Sequence, residues 1–354
     1  MKKHAKNWTL ALLIAMVSLA CPLKVRAEDE TAPSSGGERI QSIVTESETS
    51  IVYDCGMYPA EKVPVSEIVY GNPVNQYQQL KAPAMVTKIG KDLFIVDTYH
   101  NQVLYAGNLQ TPIQEWKVLE GDLALPHGIA GDGDVYLVTD TDRNQIKVYQ
   151  WVKNRYQNTQ ILTGIGIRPH AIWYDETTAA FWVWSAYTGE MYLLKKDVQT
   201  GIVCIQQIRQ VKELHGEYVR SFRIVNDEIW FPSGSNGYIT IADKETFTVT
   251  GRYPVTDEIA GMADICPAGE FVYLTVSTDI DFNQNKATMI RVKNLADLAT
   301  GNYEKIYDMV GKEGVPYYMT SMEEGFFVTT HGSEHSLWKL KLGTEGKASG
   351  IPVY

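Results

Sequence analysis

Cysteine is scarce in this sequence: it occurs 4 times in 354 residues. Clustered spacings such as Cys-x-x-Cys, which zinc and iron–sulfur sites use, are absent. After residue 27 three cysteines remain, at Cys55, Cys204 and Cys266. An oxidising compartment would allow one disulfide and one free thiol, and the wide spacing does not select a pair. We interpret all three as small, partly buried residues.

Excess positive charge is also lacking. The sequence has 32 Lys and Arg against 42 Asp and Glu, a formal net charge of −10. Residues 1–27 carry five basic and no acidic residues, so the chain without them has a net charge of −15. A chain this acidic has no electrostatic footprint for nucleic-acid phosphates or anionic lipid. We therefore expect no nucleic-acid partner.

Long apolar runs are missing after the N-terminal segment. The run from Trp8 to Ala20 follows a basic segment and has 13 residues, fewer than the roughly 18–20 of a membrane-spanning helix. Val25-Arg26-Ala27 then supplies small residues for cleavage, so residues 1–27 are typical of a secretory signal peptide. A lipoprotein site at Cys21 is the alternative, which we disfavour because Leu is missing from the first position of its box. We expect an exported protein without a transmembrane segment.

Internal repetition dominates the rest of the chain. We expect residues 28–45, which are acidic and rich in Ser and Gly, to form a flexible leader, and residues 46–354 to form one domain. The segment from Pro83 to Val103 recurs 43 residues later, from Pro126 to Ile146, without an insertion. Each copy has a Pro, an apolar strand, an Asp and an Asn-Gln pair. Further copies, the last three fainter, begin near Pro169, Val219, Met262 and Pro316.

The repeats consist of short β-branched or aromatic runs between Gly, Asp and Asn turns, without long helical periodicity. Six units of this kind predict an all-β fold, a six-bladed β-propeller of four-stranded antiparallel blades. The units resemble NHL repeats, as in Pro126-His127-Gly128-Ile129 and Asn144-Gln145-Ile146. We expect residues 50–70 to add strands that close the ring against the last unit. A closed ring leaves only short edges, so we expect a monomer.

The repeat alignment predicts which side chains line the central channel. The first strand of each blade lines this channel, so the residue after the Pro faces it near one mouth. The turn after the second strand returns to the same face. The first position gives Ala84, His127, His170, Arg220, Ala263 and Tyr317; the second gives Asp97, Asp140, Ser185, Ser233, a residue near Ser277, and His331. Candidate ligand-binding residues are Asp97, Asp140, Ser185 and Asp264, although Asp97 and Asp140 are also typical of turn caps.

Two functions fit this set of residues. The first is a secreted protein that binds an extracellular peptide, glycan or small molecule at one mouth of the channel. The alternative is a metal-dependent lyase or hydrolase, in which His127, His170 and His331 hold one divalent transition metal, zinc before others. In that alternative Tyr317 acts as general base and Arg220 orients an anionic group. Whether the protein is an enzyme stays open at this point.

The two Pro-His strands, Pro126-His127-Gly128-Ile129 and Pro169-His170-Ala171-Ile172, resemble those of peptidylglycine amidating lyases. The resemblance implies a propeller whose histidines bind zinc and whose Arg and Tyr cleave a carbinolamide. A third Pro-His strand is absent, so His331 would serve from a different strand. Sugar lactonases and strictosidine synthases share the architecture, but they use carboxylate and Asn ligands or a catalytic Glu. No channel position of this chain has Glu.

Overall fold

Each repeat of the sequence folds into one antiparallel sheet. In this computed structural model the six sheets are arranged as the blades of a six-bladed β-propeller. The structure describes residues 43–46, 50–59, 61–67, 70–344 and 346–354, with side chains from residue 61 onward. The predicted signal peptide, Cys21 and residues 28–42 of the predicted leader lie outside the described residues. The prediction of an all-β propeller with four-stranded antiparallel blades is confirmed.

The first three blades are formed by consecutive stretches of chain, and two of them gain strands from further upstream. The upstream strands are β1 (Ile43–Glu46), β2 (Ser50–Pro59) and β3 (Glu61–Lys62). Blade 1 contains β4 (Pro83–Ile89), β5 (Asp92–Asp97), β6 (Gln102–Ala106) and β7 (Lys117–Glu120), and blade 2 contains β8 (Ile129–Gly131), β9 (Val135–Asp140), β10 (Gln145–Val152) and β11 (Arg155–Thr163). Blade 3 contains β12 (Pro169–Asp175), β13 (Ala180–Ser185), β14 (Glu190–Lys196) and β15 (Val203–Val211).

The last three blades have four strands each. They are β16 (Arg223–Val225), β17 (Glu228–Pro232), β18 (Tyr238–Asp243) and β19 (Val249–Pro254) in blade 4, β20 (Gly261–Ala268), β21 (Phe271–Thr278), β22 (Thr288–Val292) and β23 (Glu304–Lys305) in blade 5, and β24 (Val315–Met322), β25 (Gly325–His331), β26 (Leu337–Leu342) and β27 (Ala348–Pro352) in blade 6.

Helical segments in the described part of the chain are short 3₁₀ turns. They span Thr98–His100, Ile113–Glu115, Thr141–Arg143, Lys212–Leu214, Asp257–Ile259, Gln284–Lys286 and Leu295–Thr300. None of the described helices has the length and apolar character needed to cross a membrane.

The core lies between neighbouring blades. Second strands are apolar on both faces because each is covered by the blade on either side, so all six residues of β9 and of β13 are buried. Leu137 and Val148 of blade 2, for example, pack in one cluster with Phe181 and Val183 of blade 3. Burial of this kind fixes the angle between blades. It therefore also fixes the first strands around the channel.

The strands before residue 70 do not close the ring, contrary to the sequence-based prediction. Strand β2 pairs with β15 at the outer edge of blade 3, and β3 pairs with β11 at the outer edge of blade 2. Strand β1 pairs with β2, so residues 43–45 are part of a strand and not of the leader. Both outer edges offer unpaired backbone groups, and the upstream segment satisfies them.

Ring closure instead relies on packing between blade 6 and blade 1. Each of these blades is a continuous four-stranded piece of chain, with no strand exchanged between them. The Tyr354 hydroxyl lies 2.7 Å from the carbonyls of Leu109 and Thr111, which share its single proton, and its ring packs against the Trp116 ring edge to face. Lys88 of blade 1 pairs with Glu324 of blade 6 at 2.7 Å.

Candidate functional site

Six side chains, one from each blade, surround a small cavity in the channel. They are the six that the repeat alignment predicts for the position after the Pro: Ala84, His127, His170, Arg220, Ala263 and Tyr317. The cavity of about 20 Å³ has room for roughly one water molecule. The polar members of the set form a layer that lines this cavity, at the end of the first strands nearest the mouth. This layer is the candidate site.

In blades 1 to 3, the loop that enters the first strand is held by a buried side chain from the turn after the second strand. Asp97 accepts from the Lys81 N–H at 2.7 Å, and Asp140 accepts from the Ala124 N–H at 2.6 Å. Ser185 accepts from the Ile167 N–H at 2.9 Å in the same way. The other Asp97 oxygen bonds His100 and Gln102, and the other Asp140 oxygen bonds Arg143 and Gln145.

These bonds occupy the polar atoms of Asp97 and Asp140, and all three side chains are fully buried. Their arrangement favours the turn-capping interpretation over ligand binding. The partners of the second Asp140 oxygen lie 43 residues after those of the second Asp97 oxygen. The two repeats therefore have the same turn structure. Because a buried carboxylate with three hydrogen bonds fixes the local backbone, Asp97 and Asp140 position the mouth loops.

A second repeated contact fixes the backbone of the residue before the Pro in blades 2 and 3. Asn101 accepts from the Leu125 N–H at 3.1 Å, and Asn144 accepts from the Arg168 N–H at 2.8 Å. Leu125 and Arg168 have φ of 49° and 59°, in the left-handed region that non-glycine residues avoid. Strain of this kind persists only where neighbouring groups enforce it. The two asparagines thus orient the strands that carry His127 and His170.

His127 and His170 stack face to face, with ring centroids 3.8 Å apart and planes inclined by 30°. The close approach requires glycine beside His127, because a Cβ on Gly128 would lie 2.9 Å from the Ile172 side chain. Thr141 donates its hydroxyl proton to the Pro169 carbonyl at 2.8 Å, so it accepts from His127 Nδ1 at 3.1 Å. This network assigns the proton of His127 to Nδ1 and leaves Nε2 as an acceptor.

Tyr317 joins the stacked pair to the other side of the channel. Its hydroxyl lies 3.2 Å from His170 Nε2. Burial raises the pKa of Tyr317, so the phenol keeps its proton and donates to the imidazole. A hydroxyl in this state is a hydrogen-bond donor or a proton donor. The direction of the shift argues against the general-base role predicted for Tyr317.

The three channel histidines are uncharged near neutral pH. Burial, with a further contribution from the Arg168 charge, lowers the pKa of His127 to about 3. Burial and the Arg220 charge lower the pKa of His331 to about 4. The pKa of His170 is lowered well below its usual value, first by burial and then by His127 and the charges of Arg168 and Arg220. Neutral imidazoles are ready to accept or donate hydrogen bonds, and they add no positive charge to the layer.

His331 stands at the end of β25, where its ring centroid lies 6.0 Å from that of Tyr317. The Tyr317 centroid lies 6.2 Å from His127 and 6.4 Å from His170. The structure thus brings together His127, His170, His331, Arg220 and Tyr317, with the tyrosine ring in contact with all three histidine rings.

As placed, the three histidines do not fit a three-ligand zinc site. Zn–N bonds near 2.0–2.1 Å at a tetrahedral angle would separate the centroids of two imidazoles by about 5 Å, whereas these two stack at 3.8 Å. Thr141 and Tyr317 occupy one nitrogen of each ring. Within the described residues no group of three or more His, Cys, Asp or Glu side chains is arranged to hold an ion. The zinc site stays a prediction.

Arg220 is held by backbone and not by a carboxylate. Its Nη2 donates to the Met262 carbonyl at 2.8 Å and to the Gly261 carbonyl at 3.2 Å. Its guanidinium lies 5.6 Å from the Tyr218 ring and 5.8 Å from the Tyr317 ring. The Nε atom is buried and has no hydrogen-bond partner. No acidic side chain of the described residues forms an ion pair with Arg220.

Asp264 lies below the layer in a buried ion pair with Arg223, and it is 1% exposed. Arg223 also donates to the Ile265 carbonyl at 2.9 Å, to the Tyr318 hydroxyl at 3.2 Å, and to the Met319 carbonyl. One arginine of blade 4 thereby ties blades 5 and 6 together. Asp264, predicted to bind a ligand, is engaged in this hub and does not belong to the upper layer.

The thiols do not contribute to the site. Cys204 and Cys266 are buried and free, in blades 3 and 5. Cys55 lies in β2, whose side chains are outside the described residues.

Sequence reasoning missed several residues of the mouth. Arg168 directly precedes Pro169, and Tyr187 stacks on Tyr218 with ring centroids 4.7 Å apart. The signal for Arg168 was present in the repeat, because the equivalent positions hold Ala82 and Leu125, so a charged residue there departs from the pattern. Tyr187 lies in the turn after the second strand of blade 3, at the repeat position of Tyr99 and Asp142, so the alignment could have found it. Tyr218 lies in the loop between blades 3 and 4, where the repeat gives no register.

Comparison with known proteins supports the fold and no more. No protein-family model matches the sequence, and no curated protein matches it. Among solved structures, a proposed 6-phosphogluconolactonase from Bacteroides uniformis is similar, with a TM-score of 0.53 and 11% identity over 85% of this chain and 90% of the other. The streptogramin B lyase has a TM-score of 0.54 and 13% identity over 79% and 85%. These similarities identify the propeller architecture.

Proposed function

We propose that the protein is a binding propeller that takes a small molecule, or the end of a peptide or glycan, at the mouth above the imidazole layer. The observation that carries the proposal is the convergence of His127, His170, Arg220 and Tyr317 from four different blades. A propeller requires no polar side chain at these positions, since Ala84 and Ala263 occupy the same place in blades 1 and 5. Buried polar groups that fold stability does not require are typical of recognition sites.

Aromatic surface around the layer supports a ligand with a planar or apolar part. Tyr187 and Tyr218 stack beside Arg220, and Tyr99 is 50% exposed. Tyrosines of this kind provide contact area at low entropic cost and retain a polar hydroxyl. The neutral histidines then offer both a donor and an acceptor.

The export and the family of the protein are part of the same proposal. The N-terminal sequence supports secretion, so we expect an extracellular ligand and a mature protein that begins near residue 28. The Pro-His and Asn-Gln-Ile motifs support NHL-type repeats. N-terminal sequencing of the protein recovered from the medium of its host tests the cleavage.

A thermal-shift screen of a metabolite, peptide and oligosaccharide library tests the binding. We expect at least one compound to raise the melting temperature of the mature protein. Tyr317→Phe should lower the affinity for this compound about five- to tenfold, because it removes one hydroxyl from a buried contact. Tyr253→Phe, on the outer strand of blade 4, is the matched control and should have no effect. A library without a single binder, or a binder unaffected by Tyr317→Phe and His170→Asn, would overturn the proposal.

A further inference from the structure

The mouth carries two guanidinium groups, and only one of them has a carboxylate partner among the described side chains. Arg168 Nη1 lies 3.0 Å from Asp142 Oδ1, in a pair whose side chains are about one third exposed. Arg220 has no acidic partner among the side chains that the structure describes. A chain with a net charge of −10 therefore keeps a local positive charge at this mouth.

Each of these arginines has an unused donor. Arg168 Nε and Arg220 Nε are both buried without a hydrogen-bond partner, as are the Nε atoms of Arg155 and Arg209 on the outer strands of blades 2 and 3. An unpaired buried donor is costly, and native structures rarely leave one without a water, ion or ligand to accept from it. Arg168 and Arg220 differ from the other two because both adjoin the imidazole layer, where an oxyanion of a bound ligand would supply the missing acceptor.

Both arginines act on the same layer. Arg168 immediately precedes the Pro169-His170 strand, and the Asn144 side chain holds its backbone. Arg220 lies against Tyr317, whose hydroxyl meets His170. The charges of both arginines lower the pKa of His127 and of His170, which places both guanidinium groups within electrostatic reach of the stacked pair.

We propose that the ligand carries a doubly charged oxyanion, a phosphate monoester or a dicarboxylate, which Arg168 and Arg220 bind together. This inference rests on the proposed function and names the chemical class of its ligand. Asp142 is too exposed to neutralise more than part of the charge of one guanidinium group. A dianion therefore matches the remaining positive charge better than a single carboxylate does. Guanidinium groups bind phosphate and carboxylate in bidentate geometry, which also gives orientation. The neutral imidazoles and the Tyr317 hydroxyl complete the hydrogen bonds.

Isothermal titration with inorganic phosphate at pH 8, succinate and acetate tests the charge requirement. We expect phosphate or succinate to bind about tenfold or more tightly than acetate, because the dianions engage two arginines. The arm that binds distinguishes the phosphate from the dicarboxylate source. Arg168→Gln and Arg220→Gln should each lower the affinity for that dianion about tenfold or more. Arg252→Gln, which removes an exposed arginine from blade 4, is the matched control and should not change it.

Equal affinity for acetate and both dianions would overturn the inference, as would a dianion affinity unchanged in both Gln variants. If the Gln variants do not fold, salt dependence decides: NaCl must weaken dianion binding, and a salt-independent affinity contradicts the two-arginine site. A neutral or cationic library compound that requires Tyr317 but neither arginine would leave the proposed function standing and remove this inference. A library without any binder removes both.

Discussion

The ion pair between Arg223 and Asp264 holds three blades together, and its removal gives the sharpest test of how the site is supported. Arg223→Met keeps a long apolar stem and deletes four hydrogen bonds, to Asp264, Ile265, Tyr318 and Met319. It leaves Asp264, which is 1% exposed, as a buried charge without its partner. Breaking a buried pair on one side costs about 3–5 kcal/mol in the free energy of unfolding.

The double variant separates the charge from the packing. Arg223→Met combined with Asp264→Asn replaces the stranded carboxylate with a neutral amide, so no unpaired charge stays in the interior. We expect the double variant to be more stable than the sum of the two single variants predicts, by about 1–3 kcal/mol. Urea unfolding followed by circular dichroism measures all four proteins. For a chain of this size the single Arg223→Met change should lower the melting temperature by about 6–10 °C.

Two outcomes would refute this reasoning. A loss below about 1 kcal/mol for Arg223→Met would show that the buried carboxylate is solvated or protonated without its arginine. Strict additivity of the two changes would show that the pair is not coupled. Because Arg223 also bonds Tyr318 and Met319, next to Tyr317, a stable Arg223→Met protein should bind the library compound more weakly.

Three further predictions follow from the same contacts. The free energy of unfolding should fall as the pH drops from 7 to 5, because histidines with a pKa near 6.5 are protonated in the unfolded chain, whereas folded His127, with a pKa of about 3, and His331, with a pKa of about 4, stay neutral. The loss is at most about 2 kcal/mol per histidine at pH 5. Urea unfolding across this range measures it, and His331→Asn should reduce the dependence of the unfolding free energy on pH. Tyr354→Phe should cost about 1–2 kcal/mol, because it removes the hydroxyl that bonds the Leu109 and Thr111 carbonyls between blades 6 and 1, although Thr111 keeps the Trp116 indole N–H as a donor; a midpoint in urea equal to that of the wild type contradicts this closure. Elemental analysis of protein purified without chelators or a His-tag should find no stoichiometric transition metal, and about one equivalent that is lost in His127→Ala/His170→Ala would show that the stacked rings rearrange around an ion.

The fold was predictable because the sequence of one blade is repeated along the chain. Matching residues at an offset of 43, such as Asp97 with Asp140 and Asn101 with Asn144, give the length and the phase of a blade without any other protein for comparison. The phase then identifies the first strand. It correctly predicted one residue from each blade that lines the channel cavity, including Arg220 and Tyr317 from units whose own motifs are faint.

Features that depend on pairing between distant segments were not predictable. Strand β2 has the same local character whether it joins blade 3 or closes the ring, and only the free edge of β15 decides between them. The stacking of His127 on His170 depends on the spacing of blades 2 and 3, which the close contact at Gly128 sets. Alignment placed both imidazoles near one mouth, but it carried no information on the angle between the rings. The metal prediction depends on that angle.

Comparison of one blade with the next separates the residues that build the propeller from those that bind. Blades 1 and 2 both have an Asp, an Asn four residues later and a Gln five residues later, and these side chains have the same partners in both blades. Their role is therefore to stabilise the turn. At the position after the Pro, by contrast, blade 1 has Ala84 where blades 2 and 3 have histidines, and the turn between blades is unchanged. A position whose side chain varies over a constant backbone is free to serve a ligand. The same argument selects Arg168, which replaces Ala82 and Leu125 of the earlier repeats in one strained conformation and is therefore not required by it.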